Sequence, residues 1–249
     1  MIDIMKSCKI SVIIPCYNAE KWIEECVRSV FSQTYKNYEL IVVDNESTDR
    51  SVEILQELLD EGLNFTLSSA PNLYALSWDE AREVAFGLAI GEWFVTVCAD
   101  DVIDPNYLTN IDKVVKELGS ECRAIQSYII GIDNGDSPMF MPVQGHMYTS
   151  LEECKEKLLV SCPITSPSVV LHRSLWDEGY IKPRPELYSG ACDYDLYCSL
   201  ADKGVYIHPI PHALGYMYRW HKEQCTWDMQ GTDYDKKVQE YWSNKWKTV

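Results

Sequence analysis

Strand signals alternate with helix signals through the first half of this 249-residue chain. The clearest strand segments, residues 9–14 and 38–43, are unbroken runs of apolar and β-branched side chains. Such runs are typical of strands that helices cover on both faces, because a strand with one solvated face alternates polar and apolar residues. Residues 19–35 and 47–62 between them have the apolar spacing of amphipathic helices. The pattern predicts an α/β fold with a doubly wound, mostly parallel sheet.

The second half of the chain has weaker periodicity. Residues 123–130 fit a strand, residues 204–208 and 213–218 fit two more, and residues 193–203 and 233–247 fit helices. No internal repeat and no linker-like tract divides the chain. We therefore expect these elements to belong to the same domain as the first half.

Three helix starts carry capping signals. Ser47 precedes the second helix and is a candidate N-cap. Ser77 with Glu80, and Ser150 with Glu153, have the three-residue spacing of a capping box. The second of these boxes predicts a helix that ends at about residue 160.

Composition and charge exclude several classes of function. The chain has 38 acidic and 22 basic side chains, a formal net charge of −16, and such a field repels nucleic acid and anionic lipid. No two of the ten cysteines have the C-x-x-C spacing of a zinc or redox site, which favours reduced thiols in a cytoplasmic protein. The N-terminal residues lack the apolar stretch of a secretory signal, and no apolar run approaches the length of a membrane span.

Polar residues follow three of the predicted strands, at the edge where doubly wound sheets bind their ligands. Residues 15–18 follow the first strand, residues 44–49 the second, and residues 98–101 the fourth. Each could be an ordinary polar turn before a helix. Asp100 and Asp101, however, directly follow an apolar strand, and adjacent carboxylates repel unless a cation joins them. This pair therefore predicts a divalent metal site that holds substrate phosphates.

Residues 11–49 resemble the N-terminal signature of family 2 glycosyltransferases, which have the GT-A fold. They contain a strand end S-V-I-I-P-C-Y-N, a helix end S-V-F-S-Q-T and a turn V-D-N-E-S-T-D. Later segments resemble the family's A-R-N, A-x-G-E-[YW], D-A-D-D, E-D-x-D-L and Y-R-x-H motifs: Ala81-Arg82, AIGEW at 89–93, CADD at 98–101, CDYDL at 192–196 and YRWH at 218–221. The resemblance covers roughly residues 9–226, and it is specific through the order and spacing of its motifs.

The resemblance implies an inverting, metal-dependent glycosyltransferase that uses a nucleotide-diphospho-sugar donor. It implies Mn²⁺ or Mg²⁺ as the cofactor, and a saccharide, lipid-linked or protein acceptor. Asp193 matches the family's general base. The implied donor contacts are Pro15, Tyr17, Asp44, Asn45, Arg82, Ala99 and Asp100. The implied metal site consists of Asp100 as principal ligand, Asp101 in support, and His221 as a candidate to complete it.

The same resemblance implies a division of the chain. Residues 1–226 are expected to form the GT-A domain, with a donor-binding half at about 9–120 and an acceptor half at about 121–226. Residues 227–249 are expected to form a helical tail. This tail is locally basic and carries an aromatic stripe, so it could dock on the domain or make a peripheral membrane contact.

Three departures from the family pattern support an alternative function. Cys98 replaces the first Asp of D-x-D, Asn45 the second Asp of V-D-D, and Cys192 the Glu of E-D. A catalytically silent sugar-nucleotide-binding or scaffold protein of the same fold would tolerate these changes. A third interpretation, a nucleotidyltransferase, is disfavoured because no Gly/Arg-rich triphosphate loop follows the first strand.

Overall fold

The computed structural model describes residues 9–74, 76–77, 79–139 and 146–247. The first half of the chain alternates strands with helices as the sequence predicts. Its elements are β1 (Ile10–Cys16), α1 (Ile23–Phe31), β2 (Tyr38–Asp44), α2 (Ser51–Asp60), β3 (Thr66–Ser69), α3 (Asp79–Leu88) and β4 (Trp93–Thr96). The four strands lie in the order β3-β2-β1-β4 and all pair in parallel. Their carboxyl ends therefore meet at one edge of the sheet.

The second half extends the same sheet with strands of both directions. Its elements are β5 (Val102–Ile103), α4 (Tyr107–Leu118), β6 (Ala124–Ile132), β7 (Pro138–Met139), α5 (Leu151–Leu158), β8 (Val170–His172), α6 (Ser174–Asp177), α7 (Pro185–Tyr188), α8 (Cys192–Asp202), β9 (Ile207–Arg219), α9 (Cys225–Met229) and α10 (Tyr234–Lys247). The sheet continues from β4 as β8-β6-β9-β5, and β7 pairs with β6. Strand β8 runs antiparallel to both neighbours, whereas β6 and β9 are parallel.

The core lies in two layers, one on each face of the sheet. Val12 and Ile14 of β1 pack among residues of α1, α2 and α4, and Ile13 packs on the opposite face among residues of α3, α8 and α10. Successive side chains of a strand point to opposite faces, so a strand covered on both sides is apolar at most positions. Ser11 is the polar exception in β1, and it is buried with its hydroxyl donating to Glu39 at 2.6 Å.

The helix boundaries differ from the sequence prediction in several places. The first helix begins at Ile23 rather than at residue 19, and the second at Ser51 rather than at residue 47. Ser47 is therefore not an N-cap, and its hydroxyl instead accepts a hydrogen bond from the backbone of Asn18. The segments at 204–208 and 213–218 belong to the single strand β9.

Two predicted capping boxes are confirmed in part: each serine accepts a backbone hydrogen bond, whereas the glutamates accept from the backbones of Thr149 and Leu73. Ser150 caps α5 by accepting a hydrogen bond from the Glu153 backbone at 3.1 Å. Ser77 accepts a bond from the Asp79 backbone at 3.3 Å, whereas Glu80 accepts one from the backbone of Leu73. Position 78 of that segment lies outside the described residues.

The C-terminal helix α10 packs on the rest of the molecule. Val238 and Trp242 are buried, and Trp246 donates a hydrogen bond to Asp202 of α8 at 2.9 Å. The aromatic stripe of the tail therefore faces the domain, as the docking interpretation of the sequence predicts. None of the described helices combines the length and the apolarity needed to cross a bilayer.

Candidate active site

A cavity of about 610 Å³ opens at the carboxyl ends of β1 and β4 and is closed on its far side by α3 and α8. Seven of the ten predicted site residues line it: Pro15, Tyr17, Arg82, Ala99, Asp100, Asp193 and His221. The remaining three, Asp44, Asn45 and Asp101, are buried next to it and do not contribute to its lining. Segments far apart in the sequence thus converge on one cavity.

A second cavity, of about 340 Å³, adjoins the first. The two share a neck that is lined by Ser166, Pro167, Gly190, Asp193 and Tyr218. Asp193 is therefore a lining residue of both cavities.

Asp193 stands in the first turn of α8 and is held through both of its carboxylate oxygens. Oδ1 accepts a hydrogen bond from the Tyr194 backbone at 2.6 Å, and Oδ2 accepts one from the Ser166 hydroxyl. The Tyr197 hydroxyl donates in turn to Ser166 Oγ at 3.0 Å. Burial raises the pKa of Asp193, while the Ser166 hydrogen bond and the nearby Arg82 charge act in the opposite direction. A carboxylate with a raised pKa is a better proton acceptor than an exposed one.

Asp100 lines the larger cavity and is paired with His221. The distance between His221 Nε2 and Asp100 Oδ2 is 2.9 Å, and the imidazole packs on the Trp22 ring with centroids 4.0 Å apart. The Glu223 backbone donates to His221 Nδ1 at 3.2 Å, so Nδ1 carries the lone pair in this arrangement. The ring proton then lies on Nε2 and points at Asp100. With its proton on Nε2, His221 donates to the Asp100 carboxylate and orients it.

Asp101 has a different environment from its neighbour. It is fully buried, and its two oxygens accept hydrogen bonds from the Tyr216 hydroxyl at 2.6 Å and from the Arg219 backbone at 2.8 Å. The guanidinium of Arg219 donates to the Asp100 carbonyl at 2.9 Å. These bonds tie the loop after β4 to the end of β9. Burial, and then the charge of Asp100, raise the pKa of Asp101 well above its usual range.

Cys98 completes a group that could hold a metal ion. One potential ligand atom from each of Cys98, Asp100 and Asp101 lies within 4.8 Å of the other two. Burial raises the pKa of the Cys98 thiol well above its ordinary value, so the thiol is protonated before any ion binds. A protonated thiol is a poor ligand for a hard cation, whereas carboxylate oxygens suit Mg²⁺ and Mn²⁺. Cys98 and Asp100 both line the cavity, and Asp100 is the carboxylate of the group that does so.

Arg82 forms a polar cluster on the floor of the cavity with Asp79 and Cys192. Asp79 is buried, pairs with the Arg82 guanidinium, and accepts hydrogen bonds from the Ser77 hydroxyl and the Cys192 thiol. The Arg82 Nε is buried and has no hydrogen-bond partner among the described residues. The family motif has Glu at the position of Cys192. In this chain, Asp79 supplies a carboxylate next to that position instead.

Asp44 and Asn45 differ in how much of their bonding capacity is already used. Asp44 Oδ2 accepts from the Ser47 backbone at 3.1 Å, but Oδ1 is buried without a partner among the described residues. The Asn45 amide donates to the Pro71 carbonyl at 2.7 Å and so holds the segment after β3. The following residue, Glu46, has a φ of 61°. This left-handed conformation favours glycine, which the family motif has at that position.

Sequence reasoning missed Asp79, Ser166 and Tyr197. Asp79 could have been found, because it lies three residues before Arg82, a spacing that brings opposite charges together on a helix. Ser166 precedes a proline in an irregular segment, and no local signal connects it with Asp193. Asp195, two residues after Asp193, is fully buried, is bonded to Arg184 and Trp242, and lines neither cavity.

Comparison with known proteins decides the family. The family model for glycosyl transferase family 2 matches residues 11–179. The chain belongs to this family. An uncharacterized glycosyltransferase of Haemophilus influenzae is 27% identical to this family member over 234 residues, 89% of this chain and 69% of that protein. A UDP-Glc:α-D-GlcNAc-diphosphoundecaprenol β-1,3-glucosyltransferase of Escherichia coli is 30% identical over 169 residues, 67% of this chain and 61% of that protein.

Solved structures confirm the GT-A fold. The chain resembles residues 1–349 of S. aureus TarS with a TM-score of 0.67 and 25% identity, over 85% of this chain and 60% of that one. The complex of the same protein with UDP-GlcNAc gives a TM-score of 0.69 at 24% identity, over 87% of this chain and 60% of that one. This family 2 chain thus spans about three fifths of the solved structure and 47% of a glycosyltransferase of Streptococcus pneumoniae that it matches.

Proposed function

We propose that this protein transfers a sugar from a nucleotide-diphospho-sugar to an acceptor hydroxyl with inversion of the anomeric carbon. The observation that carries the proposal is the place of Asp193 at the neck between two cavities. A general base for glycosyl transfer must reach the acceptor hydroxyl while that hydroxyl lies next to the anomeric carbon of the donor. A residue that lines both cavities satisfies this requirement.

The donor is proposed to occupy the larger cavity. Pro15, Tyr17 and Ala99 line this cavity, and the base and ribose are proposed to lie against them. A contact from Asp44, which is buried outside the lining, stays a prediction. The unpartnered Nε of Arg82 would donate to the donor's phosphate or sugar oxygens. We propose a UDP-sugar, since the Escherichia coli relative is named for UDP-Glc and the TarS complex contains UDP-GlcNAc. A contact from Asn45 to the base stays a prediction.

Asp100 is proposed to hold Mn²⁺ or Mg²⁺ together with the donor diphosphate. Its carboxylate lines the cavity and offers the hard oxygen that these ions prefer. When bound, the ion neutralises the charge that develops on the departing diphosphate. Asp101 and His221 are proposed to support Asp100, because both oxygens of Asp101 are already bonded and His221 donates to Asp100.

The chain's own groups carry the proton transfer. Asp193 accepts the proton of the acceptor hydroxyl while that oxygen forms a bond to the anomeric carbon. The bond between this carbon and the diphosphate oxygen breaks in the same step, so the configuration inverts. Ser166 and the Tyr194 backbone hold the carboxylate in place for this role. No carboxylate nucleophile is needed for such a single displacement.

Release of UDP from UDP-Glc and UDP-GlcNAc, with and without Mn²⁺, tests the proposal. Asp193→Asn keeps the shape of the side chain but cannot accept a proton, so turnover should fall by about 10²–10⁴. Asp202→Asn changes a carboxylate at the other end of α8, outside both cavities, and should keep wild-type turnover. Donor binding without turnover in the wild-type protein would favour the catalytically silent alternative.

The acceptor and the place of action are proposed more broadly. The name of the Escherichia coli relative describes a lipid-linked saccharide acceptor, and we propose a saccharide, lipid-linked or protein acceptor here. Nine cysteines of the described chain are free thiols, which suits the cytoplasmic location that the sequence predicts. A peripheral membrane contact through the tail stays a prediction, and it would have to use the lysines of α10, since Val238 and Trp242 face the domain.

A further inference from the structure

We propose that the smaller cavity is an acceptor subsite that selects an uncharged saccharide ring, stacked on Trp220. This inference rests on the proposed function and names the substrate class of that site. It starts from the lining of the cavity, in which apolar and aromatic side chains accompany the base. Ile129, Ile164, Tyr218 and Trp220 line it together with Asp193.

Trp220 is held as a rigid platform by other aromatic rings. Its ring packs edge to face with Tyr218 at 5.7 Å and against Trp227 at 5.3 Å. The Tyr218 hydroxyl bonds to Thr226 at 3.0 Å, and the Trp227 indole donates to the His221 carbonyl at 2.7 Å. The C–H face of a pyranose packs well on such a surface, and little side-chain entropy is lost because the rings are already fixed.

The charges around the cavity select against an anionic acceptor. Two carboxylates, Asp193 and Asp235, line it, and its described lining includes no lysine or arginine. A phosphate or carboxylate on the acceptor would meet two like charges without a counter-ion. The cations Arg82 and Lys182 line the larger cavity instead, where the donor diphosphate is proposed to bind.

The neck between the cavities orients the two substrates. Gly190 lies there, and a β-carbon at this position would come within 2.9 Å of the Leu76 carbonyl and still closer to Met229. The glycine therefore allows these segments to approach each other beside Asp193. A ring stacked on Trp220 would present a hydroxyl to the neck, where the Asp193 carboxylate can accept its proton.

Matched pairs of acceptors test the inference. The probes are methyl glucoside and methyl N-acetylglucosaminide, compared with methyl glucuronide and glucose 6-phosphate, each with UDP-Glc and with UDP-GlcNAc in the presence of Mn²⁺. UDP release is measured against the acceptor-free reaction. We expect the neutral glycosides to increase release and to have KM values at least about tenfold lower than those of the charged compounds.

Three variants locate the selectivity. Trp220→Leu removes the aromatic face and should raise the KM of the neutral glycosides by about tenfold, after normalisation to donor hydrolysis. Trp220→Phe retains an aromatic ring and should raise the KM of the neutral glycosides by a smaller factor. Trp246→Leu changes a tryptophan of α10 that lines neither cavity and serves as the matched control.

The outcomes separate this inference from the proposed function. Equal or better use of the charged acceptors, stimulation by none of the neutral ones, or an unchanged KM in Trp220→Leu would each overturn the inference. Donor hydrolysis that continues in those cases leaves the proposed function standing. A wild-type protein that releases no UDP under any condition would remove both.

Discussion

At the scale of single residues, a chain of hydrogen bonds leads into the carboxylate of Asp193. The Tyr197 hydroxyl donates to Ser166, and the Ser166 hydroxyl donates to Asp193 Oδ2. This bond stabilises the ionised carboxylate and partly offsets the effect of burial, which raises the pKa of Asp193. Ser166 would thus position the proposed base and adjust its basicity.

Ser166→Ala should shift the acid limb of the pH–rate profile to higher pH. The substitution removes a donor to the ionised form, so the pKa of Asp193 rises further and more alkaline conditions are needed to ionise it. The measurement is kcat/KM for UDP release across pH. Tyr197→Phe leaves Ser166 in place and should give a smaller shift in the same direction. Superimposable acid limbs for wild type and Ser166→Ala would contradict this assignment.

Asp100→Asn should abolish most of the Mn²⁺ dependence of UDP binding. The amide keeps an oxygen that can accept from His221, but it lacks the charge that holds a divalent ion. The ratio of UDP affinities with and without Mn²⁺, measured by calorimetry, should fall by about tenfold or more. Asp104→Asn changes a nearby carboxylate outside both cavities and is the control. An undiminished ratio in Asp100→Asn would place the metal elsewhere.

At the scale of elements, Arg184 joins α7, α8 and α10. Its guanidinium makes two hydrogen bonds to the fully buried Asp195, at 2.7 and 2.5 Å, and the Trp242 indole donates to the same carboxylate at 2.8 Å. The guanidinium also lies 4.7 Å from the centre of the Tyr241 ring. The docking of α10 therefore depends on a partly exposed arginine paired with a buried carboxylate, as well as on apolar contact.

Arg184→Ala should destabilise the fold by about 3–5 kcal/mol, because it leaves the Asp195 charge buried without its partner. Arg184→Lys should recover only part of this loss, since lysine cannot make the two-pronged contact. Urea unfolding measures both changes. Arg50→Ala removes exposed ion pairs on α2 and should leave the midpoint unchanged. A midpoint for Arg184→Ala equal to that of wild type would show that the ion pair does not contribute to the docking of α10.

At the scale of the whole molecule, the proposed donor is an anion and the protein is acidic. The net charge of −16 opposes a diphosphate at long range, so the proposed binding would depend on the few cations of the larger cavity and on the proposed metal ion. UDP and Mn²⁺ together should therefore stabilise the fold more than the sum of each alone. A ligand present at about 100 times its dissociation constant increases the free energy of unfolding by about 2.7 kcal/mol.

Thermal unfolding measures this coupling. For a chain of this size, an increase of about 2.7 kcal/mol in the free energy of unfolding corresponds to an increase in Tm of about 5–10 °C. Four samples are compared: protein alone, with UDP, with Mn²⁺, and with both. Strictly additive shifts would indicate that nucleotide and metal bind at independent sites, which contradicts the proposed shared site.

The sequence by itself determined the architecture of the first half and the identity of the family. Strand and helix periodicities are local properties, and β1, β2 and β4 needed only their own apolar runs to be found. The motifs likewise identified Pro15, Tyr17, Arg82, Asp100 and Asp193, which the structure brings to one cavity. Parallel pairing makes this convergence predictable, because strand ends on one edge of a sheet must be neighbours.

Only the tertiary structure decided what lies beside those residues. Ser166 and Asp193 are 27 positions apart, and Cys192 and Asp79 are 113 apart, so no local pattern connects them. Asp100 and Asp101 are adjacent in the sequence, yet one lines the cavity while the other is buried against Tyr216 and the Arg219 backbone. Contacts of this kind depend on how distant elements pack, and packing is a property of the whole core rather than of any segment.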